Sequence, residues 1–177
     1  MKLQEIGLKH QTDKATHHLF CDFYEEHLPK KITRLLEIGV MDGASLKMWR
    51  DFYPEAEIIG LDIKEPQTIP GVKWLKMDAT DADSVALLGK FDIIIDDGSH
   101  MTADQQKSFE LLFKDHLNDG GMYIMEDIHT SFMPGYINSP KTTYDFLREI
   151  ESEQNADITY YARDGKIEES FTAIIKK

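Results

Sequence analysis

The chain has 177 residues, a formal net charge of −12 and a sequence pI near 4.9, and this length suits one domain with a single core. Such acidity would repel a nucleic-acid backbone or an anionic membrane surface, since both are bound through clustered Lys and Arg. No apolar stretch approaches the ~20 residues of a membrane span, and the polar residues 1–5 lack the apolar core of a secretion signal. We therefore expect one domain over residues 1–177, located in the cytoplasm, with neither nucleic acid nor a membrane as its partner.

The first part of the chain predicts a helix that packs before a central strand. A helix-start signal at residues 11–16 is followed by apolar residues at helical spacing up to Leu28, and Pro29 ends the pattern. The lone cysteine, Cys21, lies among these apolar positions. It is therefore interpreted as a core thiol and given no functional role.

Residues 35–45 are the stretch around which the rest of the chain is organised. An apolar run ends in the carboxylate of Glu37, and two glycines then lead into a helix start at Ser45. Gly39 lets the backbone turn sharply, and Gly43 permits the close approach of a ligand or of the next helix. The pattern is typical of a nucleotide-type crevice, although a glycine-containing turn that binds nothing would look the same.

The remainder of the chain alternates between buried strands and helices. Further strands are predicted at residues 57–63, 72–78, 91–96 and 122–127, helices at 44–53, 81–88 and 101–117, and a last helix through Tyr144, Leu147 and Ile150. Residues 158–161 and 171–175 flank a turn at Asp164-Gly165, which predicts a closing antiparallel hairpin. Residues 129–141 predict a mobile loop that closes over a substrate as a lid. This order predicts an α/β fold with a mixed sheet.

Acidic residues recur where the predicted strands end. These positions are Glu37, Asp62, Asp78, Asp96, Asp97, Glu126 and Asp127. Ligands of open α/β sheets bind outside the carboxyl ends of the strands, and helix capping would explain only one or two of these acids. Four crowded carboxylates repel unless a positive charge lies among them, so we predict a hard divalent cation such as Mg²⁺, Mn²⁺ or Ca²⁺.

Two motifs resemble a known family. Glu37-Ile38-Gly39-x-x-x-Gly43 followed by Asp62 is similar to the class I S-adenosylmethionine-dependent methyltransferases. The motif Asp96-Asp97-Gly98-Ser99-His100, with Glu126-Asp127-x-His129, resembles the Mg²⁺-dependent sugar O-methyltransferases of macrolide (mycinamicin-type) tailoring, as does the N-terminal motif Thr12-Asp13-Lys14. The resemblance implies a Rossmann-like class I methyltransferase fold, with a mostly parallel seven-stranded sheet, an antiparallel C-terminal hairpin strand and helices on both faces.

The resemblance also implies roles for individual residues. Asp97, Glu126 and Asp127 would hold Mg²⁺ or Mn²⁺, and His100 would be the general base, with Asp97 and His129 beside it in the catalytic group. For His129, an ordinary loop histidine without a functional role is an equally good interpretation of the sequence. The residues assigned to S-adenosylmethionine binding are Thr12, Lys14, Glu37, Gly39, Gly43, Ser45, Asp62, Asp78 and Asp96.

The chemistry fits an alcohol acceptor. A hydroxyl is a poor nucleophile at neutral pH, so methyl transfer to it needs a base and charge stabilisation of the kind that a metal supplies. We therefore expect an S-adenosylmethionine- and Mg²⁺-dependent O-methyltransferase that acts on a sugar hydroxyl of a glycan or glycosylated natural product. Its partner would be a small-molecule sugar or glycoside acceptor, and a homo-oligomeric assembly is left open.

Two other function classes use the same fold. A nicotinamide-dependent oxidoreductase would share the acid at Asp62. Its dinucleotide-binding fingerprint, however, has glycine at the position of Met41, and the sequence has no Tyr-x-x-x-Lys pair for hydride transfer. A non-catalytic S-adenosylmethionine-binding scaffold is the second alternative. The retained acids and His100 argue against it.

Overall fold

The computed structural model describes the backbone of residues 1–177 and every side chain except that of Gln154. The strands in this range are β1 Arg34–Ile38, β2 Glu57–Asp62, β3 Val72–Lys76, β4 Phe91–Asp96, β5 Leu117–Met125, β6 Asp157–Ala162 and β7 Phe171–Lys176. The α-helices are α1 Leu3–His10, α2 Asp13–Thr16, α3 Cys21–His27, α4 Ala44–Phe52, α5 Ala82–Val85, α6 Thr102–Asp115 and α7 Thr143–Gln154.

The strands form one seven-stranded sheet in the order β3-β2-β1-β4-β5-β7-β6. Strands β1 to β5 pair in parallel, whereas β7 pairs antiparallel with both β5 and β6. The strand order reverses between β1 and β4, so their connections leave in opposite directions and open a crevice at their carboxyl ends. The predicted mixed sheet with a closing hairpin is confirmed.

Helices cover both faces of the sheet. Successive residues of β1 alternate between two cores, since Leu35 packs in the cluster that contains Trp49 of α4 and Leu36 packs in the cluster that contains Leu112 of α6. Both faces of the central strands are therefore buried, which explains their nearly continuous apolar sequences. The acids at the strand ends fall outside this apolar run, at the open edge of the sheet.

The predicted packed helix before the central strand is confirmed as α3, but it is not continuous with the helix-start signal at residues 11–16. The segment forms the short helix α2 and then α3, because Leu19 between them adopts a left-handed backbone with φ 58°. The sequence analysis also missed α1, whose buried residues Leu3 and Ile6 have helical spacing. Lys14 of α2 lies at the carboxyl ends of the strands, with its Nζ 2.5 Å from Asp97 Oδ2.

No helix in the part of the chain that the structure describes is long and apolar enough to cross a lipid bilayer. The predicted loop 129–141 contains two short 3-10 turns, Ile128–Phe132 and Pro134–Tyr136.

Candidate active site

A cavity of about 480 Å³ opens at the carboxyl ends of the parallel strands. It is lined by residues from the glycine turn, from the ends of β2 and β3, and from the segment after β4. The predicted site residues that line it are Gly39, Asp62, Asp78, Asp96, Asp97, His100 and Asp127. The fold thus brings residues from five parts of the chain to one crevice.

The glycine turn after β1 is shaped by the neighbouring backbone. Gly39 has φ 82°, and a Cβ there would lie 1.9 Å from the carbonyl oxygen of Asp97. At Gly43, with φ 78°, a Cβ would lie 2.3 Å from the Ile69 side chain. Both positions require glycine for close packing of protein on protein as well as for the left-handed conformation.

Asp62 ties the glycine turn to the end of β2. Its Oδ2 accepts hydrogen bonds from the backbone N–H groups of Val40 at 2.9 Å and Met41 at 3.1 Å, and its Oδ1 accepts from Lys64 at 2.9 Å. Burial alone would raise the pKa of Asp62, but these N–H donors outweigh it and the pKa is lowered. Asp62 therefore stays ionised at the edge of the cavity.

Asp78 and Asp96 also satisfy their oxygens within the protein. Asp78 Oδ1 accepts from the backbone N–H of Thr80 at 2.8 Å and from its hydroxyl at 2.7 Å. Asp96 is buried, and its Oδ2 accepts from the Tyr123 hydroxyl at 2.9 Å and from the Ser108 hydroxyl. Burial raises the pKa of Asp96 against these hydrogen bonds.

Lys14 supplies a positive charge that the sequence analysis did not place among the acids. Its side chain is fully buried, and its Nζ lies 2.5 Å from Asp97 Oδ2, 3.1 Å from Glu126 Oε2 and 3.3 Å from Glu37 Oε1. We call Lys14 with Glu37, Asp97 and Glu126 the lysine cluster. Its carboxylates come from the ends of β1, β4 and β5, so one ammonium joins three strand ends.

Two hydroxyls complete the lysine cluster. Ser45 donates to Glu37 Oε2 at 2.8 Å, and Tyr24 donates to Glu126 Oε1 at 2.9 Å. The predicted cofactor residues Thr12, Lys14, Glu37 and Ser45 are buried here and are not among the described residues that line the cavity. Their assignment to S-adenosylmethionine stays a prediction.

The lysine cluster holds more negative than positive charge. Burial raises the pKa of Glu126 to about 7, since the repulsion from Asp127 and Glu37 adds to desolvation while Lys14 opposes it. Burial likewise raises the pKa of Asp97 above its usual range, against the attraction of Lys14. One ammonium therefore does not fully compensate the three carboxylates.

Asp97, His100 and Asp127 converge above the lysine cluster. One polar side-chain atom from each lies within 4.8 Å of the others. His100 Nδ1 lies 3.3 Å from Asp127 Oδ2, and His129 Nδ1 lies 3.6 Å from Asp127 Oδ1. Among the described side chains, Asp127 Oδ1 and both of these imidazole nitrogens are buried without a hydrogen-bond partner.

The backbone at this convergence is strained. His100 has φ 59° and Asp127 has φ 52°, both left-handed and unusual for residues other than glycine. The Thr130 hydroxyl lies 3.0 Å from the His100 carbonyl and 2.8 Å from the Asp127 carbonyl, within donating distance of both. Thr130 therefore links the two strained residues through their main chain.

The residues present fit a divalent cation. The carboxylates of Asp97 and Asp127 are oxygen donors suited to Mg²⁺ or Mn²⁺, and the buried unpartnered Asp127 Oδ1 is an orphaned acceptor that a cation would satisfy. The converging group differs from the predicted three carboxylates in one member. Glu126 is turned toward Lys14 and Tyr24, whereas His100 is within the converging group.

The predicted lid is fastened at its base. Asn138 Oδ1 accepts from the backbone N–H of Ala103 at 2.8 Å, next to the start of α6, and the Asn138 N–H donates to Thr102 Oγ1 at 3.0 Å. Between Thr130 and Asn138, the four apolar side chains of Phe132, Met133, Tyr136 and Ile137 remain between 37% and 40% exposed. The segment thus presents an apolar tip held on polar anchors.

Comparison with solved structures identifies the class of fold. The MycE methyltransferase of the mycinamycin biosynthetic pathway, solved in complex with Mg, SAH and mycinamycin VI, matches 99% of this chain and 54% of its own with a TM-score of 0.83 and 29% identity. A putative caffeoyl-CoA O-methyltransferase from Staphylococcus aureus shares the fold at a TM-score of 0.64 and 16% identity. The chain has the class I methyltransferase fold.

Curated sequences define the relationship more narrowly. The chain is 35% identical over 151 residues to the mycinamicin VI 2''-O-methyltransferase of Micromonospora griseorubida and to the L-olivosyl-oleandolide 3-O-methyltransferase of Streptomyces antibioticus. The match covers 76% of this chain but only 38% and 39% of those proteins. No protein-family model matches. The predicted resemblance to the sugar O-methyltransferases of macrolide and polyketide tailoring is confirmed.

Proposed function

We propose that this chain is an S-adenosylmethionine-dependent, divalent-cation-dependent O-methyltransferase that acts on a sugar hydroxyl of a small-molecule glycoside or glycan. The observation that carries the proposal is the convergence of Asp97, His100 and Asp127 on a cavity that also contains the glycine turn and Asp62. The two curated relatives are named as O-methyltransferases of L-olivosyl-oleandolide and of mycinamicin VI, and the MycE structure contains Mg and SAH. A cytoplasmic location stays a prediction from the sequence, as does the absence of nucleic-acid and membrane partners, and the oligomeric state is open.

S-adenosylmethionine would occupy the cavity between the glycine turn and the ends of β2 and β3. Asp62 and Asp78 line this part of the cavity, together with the apolar side chains of Met41, Ile63 and Met77. The carboxylate of Asp62 is charged and fixed by three backbone N–H groups, which suits it to accept hydrogen bonds from ribose hydroxyls.

His100 is the proposed general base. Its side chain is 31% exposed toward the cavity, and its Nδ1 faces Asp127 Oδ2. The negative charge of Asp127 favours the tautomer with the proton on Nδ1, and this would leave Nε2 free to accept the proton of the acceptor hydroxyl during methyl transfer. Asp127 thereby also stabilises the imidazolium that forms.

Asp97 and Asp127 are the proposed carboxylate ligands of the divalent cation, with Glu126 as the third ligand implied by the family resemblance. When bound, the cation would lower the pKa of a coordinated hydroxyl and help to orient it. Glu126 is paired with Lys14, whereas His100 lies beside Asp97 and Asp127, which places the proposed base next to the proposed cation. His129 borders Asp127 and is proposed to contact the acceptor or to orient that carboxylate.

The proposal is tested by methyl transfer from labelled S-adenosylmethionine to glycosides with adjacent free hydroxyls, with Mg²⁺ or with a chelator. Asp97→Asn and Asp127→Asn remove charge and keep shape, so each should lose Mg²⁺ affinity and turnover while S-adenosylmethionine binding changes little. Asp119→Asn, at a side chain that is 98% exposed, is the matched control. Full activity after exhaustive chelation would contradict the metal dependence. Tight S-adenosylmethionine binding without any methyl transfer would favour the alternative of a non-catalytic S-adenosylmethionine-binding scaffold.

A further inference from the structure

We propose that Lys14 is an internal counter-cation that keeps the affinity of the neighbouring Asp97–His100–Asp127 site for a divalent cation low. This inference rests on the proposed function in one respect, namely that the site binds such a cation. Lys14 itself reaches no solvent and no part of the cavity in the described structure. It acts through the carboxylates that it holds.

Asp97 is shared between the lysine cluster and the cation site. Its Oδ2 lies 2.5 Å from Lys14 Nζ, and its side chain, 18% exposed, also belongs to the group that converges with His100 and Asp127. A cation at that group would therefore share a ligand with an ammonium that is already in contact with it. Two positive charges on one carboxylate repel, and the burial of Lys14 and Asp97 weakens the screening of this repulsion by solvent.

Lys14 also withdraws a second carboxylate. Glu126 Oε2 lies 3.1 Å from Lys14 Nζ, and Glu126 Oε1 accepts from the Tyr24 hydroxyl. Both Glu126 oxygens are thus engaged away from the cavity, although the residue precedes Asp127 in sequence. Without the ammonium, Glu126 would be free to offer a third carboxylate to the cation.

Lys14 also contributes to the stability of the acidic edge. It partly neutralises carboxylates at the ends of three strands, since its Nζ lies within 3.3 Å of an oxygen of each. Removing one member of a buried ion pair leaves uncompensated charge and destabilises the fold. Replacing Lys14 by an uncharged residue would also remove the charge that competes with the metal. Such a variant should therefore be less stable than the wild type but bind the divalent cation more tightly.

The test is Lys14→Met, which keeps an unbranched side chain of similar length and removes the positive charge. We expect calorimetry to show Mg²⁺ binding about tenfold or more tighter than in the wild type, while the metal-free Tm falls. A purely structural role predicts that both stability and Mg²⁺ affinity fall. Lys9→Met is the matched control, since Lys9 forms an exposed ion pair with Asp51 and should change neither quantity.

The double variant Lys14→Met/Glu126→Gln keeps the net charge of the lysine cluster and serves if the single variant does not fold. It should also bind Mg²⁺ more tightly than the wild type, because Asp97 is released from the ammonium. Mg²⁺ affinity that is unchanged or weaker in a folded Lys14 variant would overturn the inference while leaving the wild-type metal site in place. If neither the wild type nor a Lys14 variant binds Mg²⁺, the metal part of the proposed function fails as well.

Discussion

His100 Nδ1 lies 3.3 Å from Asp127 Oδ2, and both residues have left-handed backbones at the ends of neighbouring strands. Strained residues persist where the surrounding structure holds them, and here Thr130 contacts the carbonyl groups of both. The pair places an imidazole at the mouth of the cavity with one nitrogen directed at a carboxylate. This geometry is the basis of the first prediction.

Replacing His100 by alanine should lower kcat by roughly 10²- to 10⁴-fold, the usual share of general-base catalysis, with S-adenosylmethionine affinity retained. Steady-state kinetics and calorimetry measure the two quantities. The control is His10→Ala at the end of α1, where His10 Nε2 lies 2.8 Å from Asp51 Oδ2 and outside the cavity. Wild-type turnover would rule out the base, and a collapse of Mg²⁺ affinity would identify His100 as a ligand instead.

Replacing Asp62 by alanine should weaken S-adenosylmethionine binding about tenfold or more, since a charge-assisted hydrogen bond contributes on the order of 1.5 to 3 kcal/mol. Isothermal titration calorimetry measures the effect directly. Asp51→Ala removes an equally ionised carboxylate that lies on the surface away from the cavity, and should leave the affinity unchanged. Equal affinities in the two variants would remove Asp62 from the cofactor site.

The metal-free protein should lose stability as the pH rises from about 4.5 to about 7. The pKa of Glu126 is raised to about 7 in the folded chain, so the folded state binds more protons than the unfolded state in this window. The free energy of unfolding, from urea titrations at each pH, should therefore fall across it. Glu126→Gln should flatten the profile, and a wild-type stability that rises with pH over this range would contradict the assignment.

Replacing Asn138 by alanine should raise the KM for the acceptor and leave S-adenosylmethionine affinity unchanged. The substitution removes the acceptor for the Ala103 N–H and loosens the base of the apolar segment, at a cost of about 1 kcal/mol. Thr142→Ala removes a comparable helix cap, at the start of α7, and is the matched control. If Asn138→Ala weakened acceptor binding and S-adenosylmethionine binding to the same extent, the segment would be a connector rather than part of the acceptor site.

Much of the fold could be predicted because its signals are local. The apolar run before Glu37, the glycines of the turn and the acids after each strand all lie within single elements, and strand ends of a parallel sheet meet at one edge. Asp97, His100 and Asp127 could therefore be expected to lie together before their contacts were known.

The charge balance could not be predicted in the same way. The crowded carboxylates indicated that a positive charge lies among them, and a metal ion was the charge that the sequence predicted. Lys14 could not be identified as a second positive charge, because it lies 83 residues from Asp97 and 112 residues from Glu126 along the chain. Its place depends on the break at Leu19, where a continuous helix would have carried the lysine elsewhere. Local periodicity does not encode such a long-range ion pair.

Metal-dependent methyl transfer is tested most directly by a crystal structure with S-adenosylhomocysteine and Mn²⁺, with the ion located by its anomalous scattering. We expect the nucleoside against Asp62 and one anomalous peak within ligand distance of the carboxylates of Asp97 and Asp127, beside His100. A peak elsewhere, or a filled nucleoside pocket with no ion at these carboxylates under saturating Mn²⁺, would contradict the proposed metal-dependent methyl transfer.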